Sequence, residues 1–137
     1  MRYRTSWRPL TGPAYTYTAA VLTVHDGDTF TAVIDLGFDV TITTSVRLLG
    51  CNAIELGQPG GVEAGANLRQ LICGKAIYLH TVKADKYGGR YDAQVTVPGV
   101  GDLATLLIAD GWAAAWDGKG PRPTPPWPRQ AAGDGPL

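Results

Sequence analysis

The sequence has little cysteine: Cys51 and Cys73 are the two in 137 residues. They leave room for one disulfide at most, and two reduced, mostly buried thiols are the expectation. Histidine is as scarce. His25 and His80 lie far apart, and neither stands at ligand spacing from a cysteine, which argues against zinc. Charge of one sign is also missing. Twelve Lys and Arg balance 12 Asp and Glu, so formal net charge is zero and charged residues make up only 18% of the chain. A nonspecific nucleic-acid binder is ordinarily basic, so composition makes no electrostatic case for such a partner. Any phosphate-binding surface must therefore be local, with acidic residues set apart from it. Residues 1–13 hold no apolar stretch of the signal-peptide kind, and no run has the length of a membrane helix. A cytoplasmic, monomeric protein with no membrane contact is expected.

A chain of this length predicts a single domain with a real core. Residues 1–13 carry Arg2, Arg4, Trp7 and Arg8 without a period and predict a loosely ordered arm. The domain is expected over 14–117. From 118 to 137 the chain turns to Gly, Pro and Arg, with Pro121, Pro123, Pro125, Pro126 and Pro128, and should be extended.

Between these ends the pattern is mostly β. Residues 14–24 are rich in Tyr, Thr, Val and Ala, which fits a strand. Asp26-Gly27-Asp28 signals a turn, and 29–35 alternates with Phe30, Ala32 and Ile34 on one face. Leu36-Gly37-Phe38-Asp39 reverses the chain into a β-branched third strand over 40–49. Residues 62–73 predict a helix, with Ala64, Leu68, Leu71 and Ile72 as one apolar stripe and Gly74 as its stop. Residues 75–84 and 90–97 predict two more strands around an 85–89 turn. In the first of these, Ile77, Leu79, Thr81 and Lys83 should share a face. Asp102 suits the N-cap of a second helix that carries Leu103, Leu106 and Leu107 and ends at Gly111. The fold class expected is mainly β (α+β). It is a five-stranded OB-fold Greek-key barrel, with one helix between strands 3 and 4 and another after strand 5.

Chemistry concentrates at strand ends. Val46-Arg47-Leu48-Leu49-Gly50-Cys51-Asn52-Ala53-Ile54-Glu55 begins apolar and ends polar, with an arginine inside the apolar run. Upstream lies His25-Asp26-Gly27-Asp28-Thr29, and downstream Asp85-Lys86-Tyr87-Gly88-Gly89-Arg90. Each residue has a plain structural alternative. Asp28 can bond its own turn, Arg47 can face solvent, Glu55 can be a solvated loop residue and Arg90 a strand-end charge. Taken together, two carboxylates, an amide oxygen and two arginines suit phosphodiester hydrolysis with a hard divalent metal. Cys51 and His80 are expected as packing residues.

These segments, with Gly111-Trp112-Ala113, resemble the thermonuclease (staphylococcal nuclease) family in order and spacing over roughly residues 16–117. The resemblance implies an OB-fold barrel that uses calcium to hydrolyse DNA and RNA, leaving 5′-hydroxyl and 3′-phosphate ends. It implies that Asp28 binds metal, that Arg47 and Arg90 contact phosphate, and that Glu55 activates water. Lys86 and Tyr87 match residues near a terminal phosphate. Three positions depart from the family pattern. Asn52 replaces a second metal-binding aspartate, Ile54 replaces a proline, and Gly89 is inserted before Arg90.

The residue types suit those roles. Calcium takes about six to eight oxygens at about 2.3–2.6 Å. Asp28, the Asn52 amide oxygen and the Ala53 carbonyl supply some, and substrate phosphate must complete the set. Arginine stays protonated and binds phosphate through two parallel bonds. Glu55 accepts a proton from water, unless the metal lowers the water's own pKa. Tyr87 and Trp116 offer stacking surfaces for bases, and Trp116 serves equally as a cap on the barrel. The alternative function is a catalytically weak or inactive OB-fold module that binds nucleic acid.

Overall fold

The structure, a computed structural model, describes residues 15–127. In chain order the elements are β1 (Thr16–Val24), β2 (Thr29–Gly37), β3 (Val40–Leu48), the short β4 (Cys51–Ala53), α1 (Gly61–Ile72), β5 (Ala76–Ala84), β6 (Arg90–Val97), β7 (Gly101–Asp102), α2 (Leu103–Ala109) and β8 (Ala113–Ala115). The residues expected as an arm, 1–13, lie outside the described residues.

Five long strands make a closed barrel. Their order is β3-β2-β1-β5-β6, and β6 returns to pair with β3. That last pairing is parallel and sets Arg47 beside Asp92 and Ser45 beside Arg90. The other long pairings are antiparallel. The molecule is thus a mainly β, OB-fold-like α+β barrel with two helices. Closure matters for function because it brings the end of β3 against the start of β6, far apart in sequence.

The barrel closes around alternating apolar residues. Phe30, Ala32 and Ile34 point inward from β2, Val46 and Leu48 from β3, Ile77 and Leu79 from β5, and Ala93, Val95 and Val97 from β6. Lys83 departs from the expected face. The β5–β6 register shifts between His80 and Lys83, so Lys83 is exposed while Val82 packs on the core. One extra residue in a strand turns every later side chain to the opposite face.

α1 lies against one end of the barrel through Gly61, Ala64, Gly65, Leu68 and Ile72. Leu71 is half-buried at the edge of this stripe. Close approach needs small residues. A Cβ on Gly27 would sit 2.7 Å from the Ala53 Cβ and 3.0 Å from the Ala64 Cβ. Gly74 follows the helix with φ 75°, the left-handed conformation in which glycine commonly ends helices. The Asp102 carboxylate caps α2 by accepting from the Thr105 amide at 3.0 Å and its hydroxyl at 2.7 Å. β4 pairs antiparallel with β8, Asn52 opposite Ala114. Among the described residues no helix is long and apolar enough to cross a membrane.

Candidate functional site

The turn between β1 and β2 aims Asp28 inward. The His25 and Asp26 amides both donate to the Thr29 carbonyl, and the Asp28 amide donates to Asp26 Oδ1. Asp28 is 7% exposed, and several donors surround its carboxylate. Oδ1 accepts from the Thr29 hydroxyl at 3.1 Å, and Oδ2 accepts from the Ala53 amide at 3.0 Å. Arg47 comes from the β3 residue opposite Thr29. Its Nη2 donates to Asp28 Oδ2 at 3.4 Å and to Asn52 Oδ1 at 3.2 Å. One guanidinium nitrogen therefore joins the two side chains expected to hold metal. β4 positions Asn52, which is buried, and its Nδ2 donates to the Pro123 carbonyl at 3.2 Å.

The β5–β6 turn carries the second arginine. Arg90 Nε lies 3.1 Å from Asp85 Oδ2, and the Tyr87 amide donates to Asp85 Oδ1 at 2.8 Å. Gly88 and Gly89 both take φ 75°, so the turn places two consecutive left-handed residues before Arg90. Lys86 Nζ lies 5.2 Å from the centre of the Tyr87 ring, and Tyr87 is exposed. Burial raises the Asp85 carboxyl, but hydrogen bonds from Asp92, the Tyr87 amide and Arg90 outweigh it and hold the group at about 2. Asp92 takes the opposite course, pushed up to about 6 by burial and by sharing a hydrogen bond with Asp85.

Two cavities of about 340 Å³ each gather these residues. Asp28, Arg47, Asn52, Ala53, Glu55 and Arg90 line one. Lys86, Tyr87 and Trp116 line the other, again with Arg47 and Arg90. All nine residues singled out from the sequence therefore face one or both cavities, and the two arginines face both. A larger open depression of about 580 Å³ runs along α1, lined by Glu63, Ala66, Asn67, Arg69, Gln70 and Trp112. It shares no lining residue with either.

The sequence gives no hint of Arg122. The 118–137 run is expected to be extended, and residues 118–127 indeed form no helix or strand. They are nevertheless held against the barrel. Arg122 Nη1 lies 2.8 Å from Glu55 Oε1, and its guanidinium carbon is 5.3 Å from the centre of the Trp116 ring. The Arg47 guanidinium lies over the same ring at 5.5 Å. Trp116 Nε1 donates to the Lys119 carbonyl, so the ring is fixed as a surface against which two arginines rest. Asp92 was also missed, although it falls on the same strand face as Arg90.

The oxygen donors suit a hard cation such as calcium. Asp28 and Asn52 supply one carboxylate and one neutral amide oxygen, so phosphate and water oxygens would have to complete the coordination. Among the described residues no three Asp, Glu, His or Cys side chains converge to hold a metal by themselves. Burial pushes Asp26 above its ordinary value, aided by the charge of Asp28. Burial and Asp28 likewise push the Cys51 thiol up to about 12, which keeps it an unreactive packing group. Cys51 and Cys73 are both free. His80 sits between strands, bridging the Thr16 and Thr96 hydroxyls at 3.2 and 3.0 Å.

No protein-family model matches the chain, and none of the curated proteins matches its sequence.

Proposed function

We propose that this protein is a calcium-dependent nuclease that hydrolyses phosphodiester bonds of DNA, RNA or both with little sequence preference. The observation that carries the proposal is the shared cavity: Asp28, Arg47, Glu55 and Arg90 come from three segments distant in sequence and line one space.

In-line attack adds charge to the non-bridging oxygens of the phosphate. Arg47 and Arg90, anchored by Asp28 and Asp85, offer preorganised donors for that charge. Their carboxylate partners limit rearrangement when phosphate binds. Glu55 stands on an exposed loop, where it accepts the proton of the attacking water. The water oxygen bonds to phosphorus as the P–O5′ bond breaks and the departing O5′ takes a proton from solvent water, which leaves a 3′-phosphate and a 5′-hydroxyl. Asp28 and Asn52 would hold a calcium ion, which would supply further charge stabilisation at the phosphate. Lys86 and Tyr87 line the adjoining cavity and receive the neighbouring phosphate and base. Trp116 acts mainly as a rest for the arginines.

The test is a substitution series on single-stranded DNA. Arg47→Ala, Glu55→Ala and Arg90→Ala should each lower turnover by about a hundredfold or more while the barrel stays folded. Chelating calcium should stop wild-type cleavage. Near wild-type rates in all three variants exclude the mechanism.

One observation favours a second reading, an OB-fold module that binds nucleic acid without cleaving it. Arg47 already occupies both expected metal-binding side chains, and Arg122 occupies Glu55. A calcium titration with a labelled oligonucleotide separates the two, since the module binds and leaves the strand intact.

A further inference from the structure

We propose that Arg122 is a third phosphate-binding residue of this site, held on Glu55 until a nucleic-acid phosphate takes its place. The proposal rests on the phosphodiester reading above and adds to it a residue outside the motifs.

Charge pairing is the first ground. Asp28 is paired with Arg47 and Asp85 with Arg90. Glu55 lines the same cavity as Asp28, and Arg122 is its partner. Without Arg122, an incoming phosphodiester would meet an uncompensated negative charge. With it, the phosphate finds a third guanidinium lining both cavities beside Arg47 and Arg90.

The second ground is the difference between the pairs. The Arg47–Asp28 side chains are each 10% exposed, whereas Arg122 and Glu55 are 39% and 59% exposed. An exposed pair is weak, so phosphate oxygens compete for it readily. Exchange of Arg122 from carboxylate to phosphate frees Glu55 at the moment a substrate is present, and no buried charge is stranded.

The third ground is that the segment is built. The Asn52 amide grips the Pro123 carbonyl, and the Lys119 amide donates to Asp117 Oδ1 at 2.9 Å. Trp127 Nε1 donates to the Gly111 carbonyl at 3.2 Å. Pro121 and Pro123 restrict the backbone on either side of Arg122. The backbone that carries Arg122 is therefore held against the barrel and has little freedom left to lose when phosphate binds.

The experiment measures binding of a fluorescein-labelled single-stranded DNA oligonucleotide in chelator, where cleavage is silent, across a salt series. Wild type, Arg122→Ala, Arg122→Gln, Glu55→Ala and the Glu55→Ala/Arg122→Ala double variant are compared. Arg122→Ala and Arg122→Gln should each weaken binding about tenfold. Each should also make the log–log salt slope shallower by about 0.7, the loss of one single-strand phosphate contact. Removing Arg122 should weaken binding in the Glu55→Ala background as well. If it has no effect there, Arg122 only neutralises Glu55 and the proposal is overturned. Tighter binding by Arg122→Ala also overturns it, because the segment then acts as a block. If wild type itself binds no oligonucleotide, the phosphodiester reading fails and takes this one with it. A wild type that binds alongside an unchanged Arg122→Ala sinks this proposal alone.

Discussion

The placement of Glu55 depends on a residue that carries no side chain. Gly61 begins α1 and is buried against the loop that follows β4. A Cβ at that position would land on the Glu55 carbonyl oxygen, 2.6 Å from the Glu55 carbonyl carbon and 2.8 Å from the Leu56 Cα. These are backbone atoms, so no rotamer change relieves the overlap. Comfortable carbon contacts begin at about 3.5 Å, so Gly61→Ala must drive the backbone at Glu55 and Leu56 outward by about 1 Å. The shift breaks a local brace, because the Gln58 amide donates to the Glu55 carbonyl and the Gly61 amide to the Gln58 carbonyl. Overpacking of this kind costs about 1–3 kcal/mol. A misplacement of about 1 Å at a reacting group costs about a hundredfold in rate. Gly57 lies on the same loop with nothing within 4 Å of its would-be Cβ, which makes Gly57→Ala the control. Initial rates of single-stranded DNA cleavage with calcium, read beside urea unfolding, test both variants. Gly61→Ala should lose about a hundredfold in kcat and about 1–3 kcal/mol of stability, while Gly57→Ala stays near wild type. A Gly61→Ala protein with wild-type kcat refutes the tie between this loop and the chemistry, whatever its stability.

Two further outcomes follow from the geometry. Asp92 is raised in the fold from its ordinary 3.8 to about 6, so ionising it destabilises the protein progressively as pH rises between those values. Asp85, lowered to about 2, stabilises the fold above 3.8, and that stability is lost as pH falls towards 2. An asparagine at 92 keeps a donor for Asp85 without a charge, so Asp92→Asn should remove the fall in Tm between about pH 4 and 6. Parallel pH profiles of Tm for the two proteins would refute the pairing. Asp102→Ala removes the cap of α2 and should cost about 1 kcal/mol in urea unfolding, with cleavage rates unchanged.

Much of the barrel is legible in the sequence because its strands are long enough to show a period. Phe30, Ala32 and Ile34 alternate in the chain and are buried in the fold. Ala64, Leu68 and Ile72 repeat at helical spacing and form the packed face of α1. The short elements have no such signal. β4 and β8 are three residues each and exist only through pairing with one another across about 60 residues, and β7 is two residues that fold back on the end of β6. The register shift before Lys83 is equally invisible, since a bulge leaves composition unchanged. The candidate site divides along the same line. Asp28, Arg47 and Glu55 stand in short motifs whose order can be read directly. Arg122 lies in a run whose prolines erase any period, and only the folded chain brings it to Glu55.

The balanced composition also takes on a meaning that totals alone do not provide. A net charge of zero argues against a nucleic-acid partner when charge is treated as spread over a surface. Here the arginines that line the cavities are each matched with a carboxylate: Arg47 with Asp28, Arg90 with Asp85 and Arg122 with Glu55. Such pairs hold guanidiniums in fixed directions without an excess of positive charge, so long-range attraction is weak and short-range donor geometry is strong. A phosphate gains most by displacing the weakest carboxylate, which is the exposed Glu55, and least by disturbing the buried Asp28. On the proposed reading, zero net charge and a phosphate site are compatible, because each arginine that lines the cavities already has a carboxylate partner that a phosphate could replace.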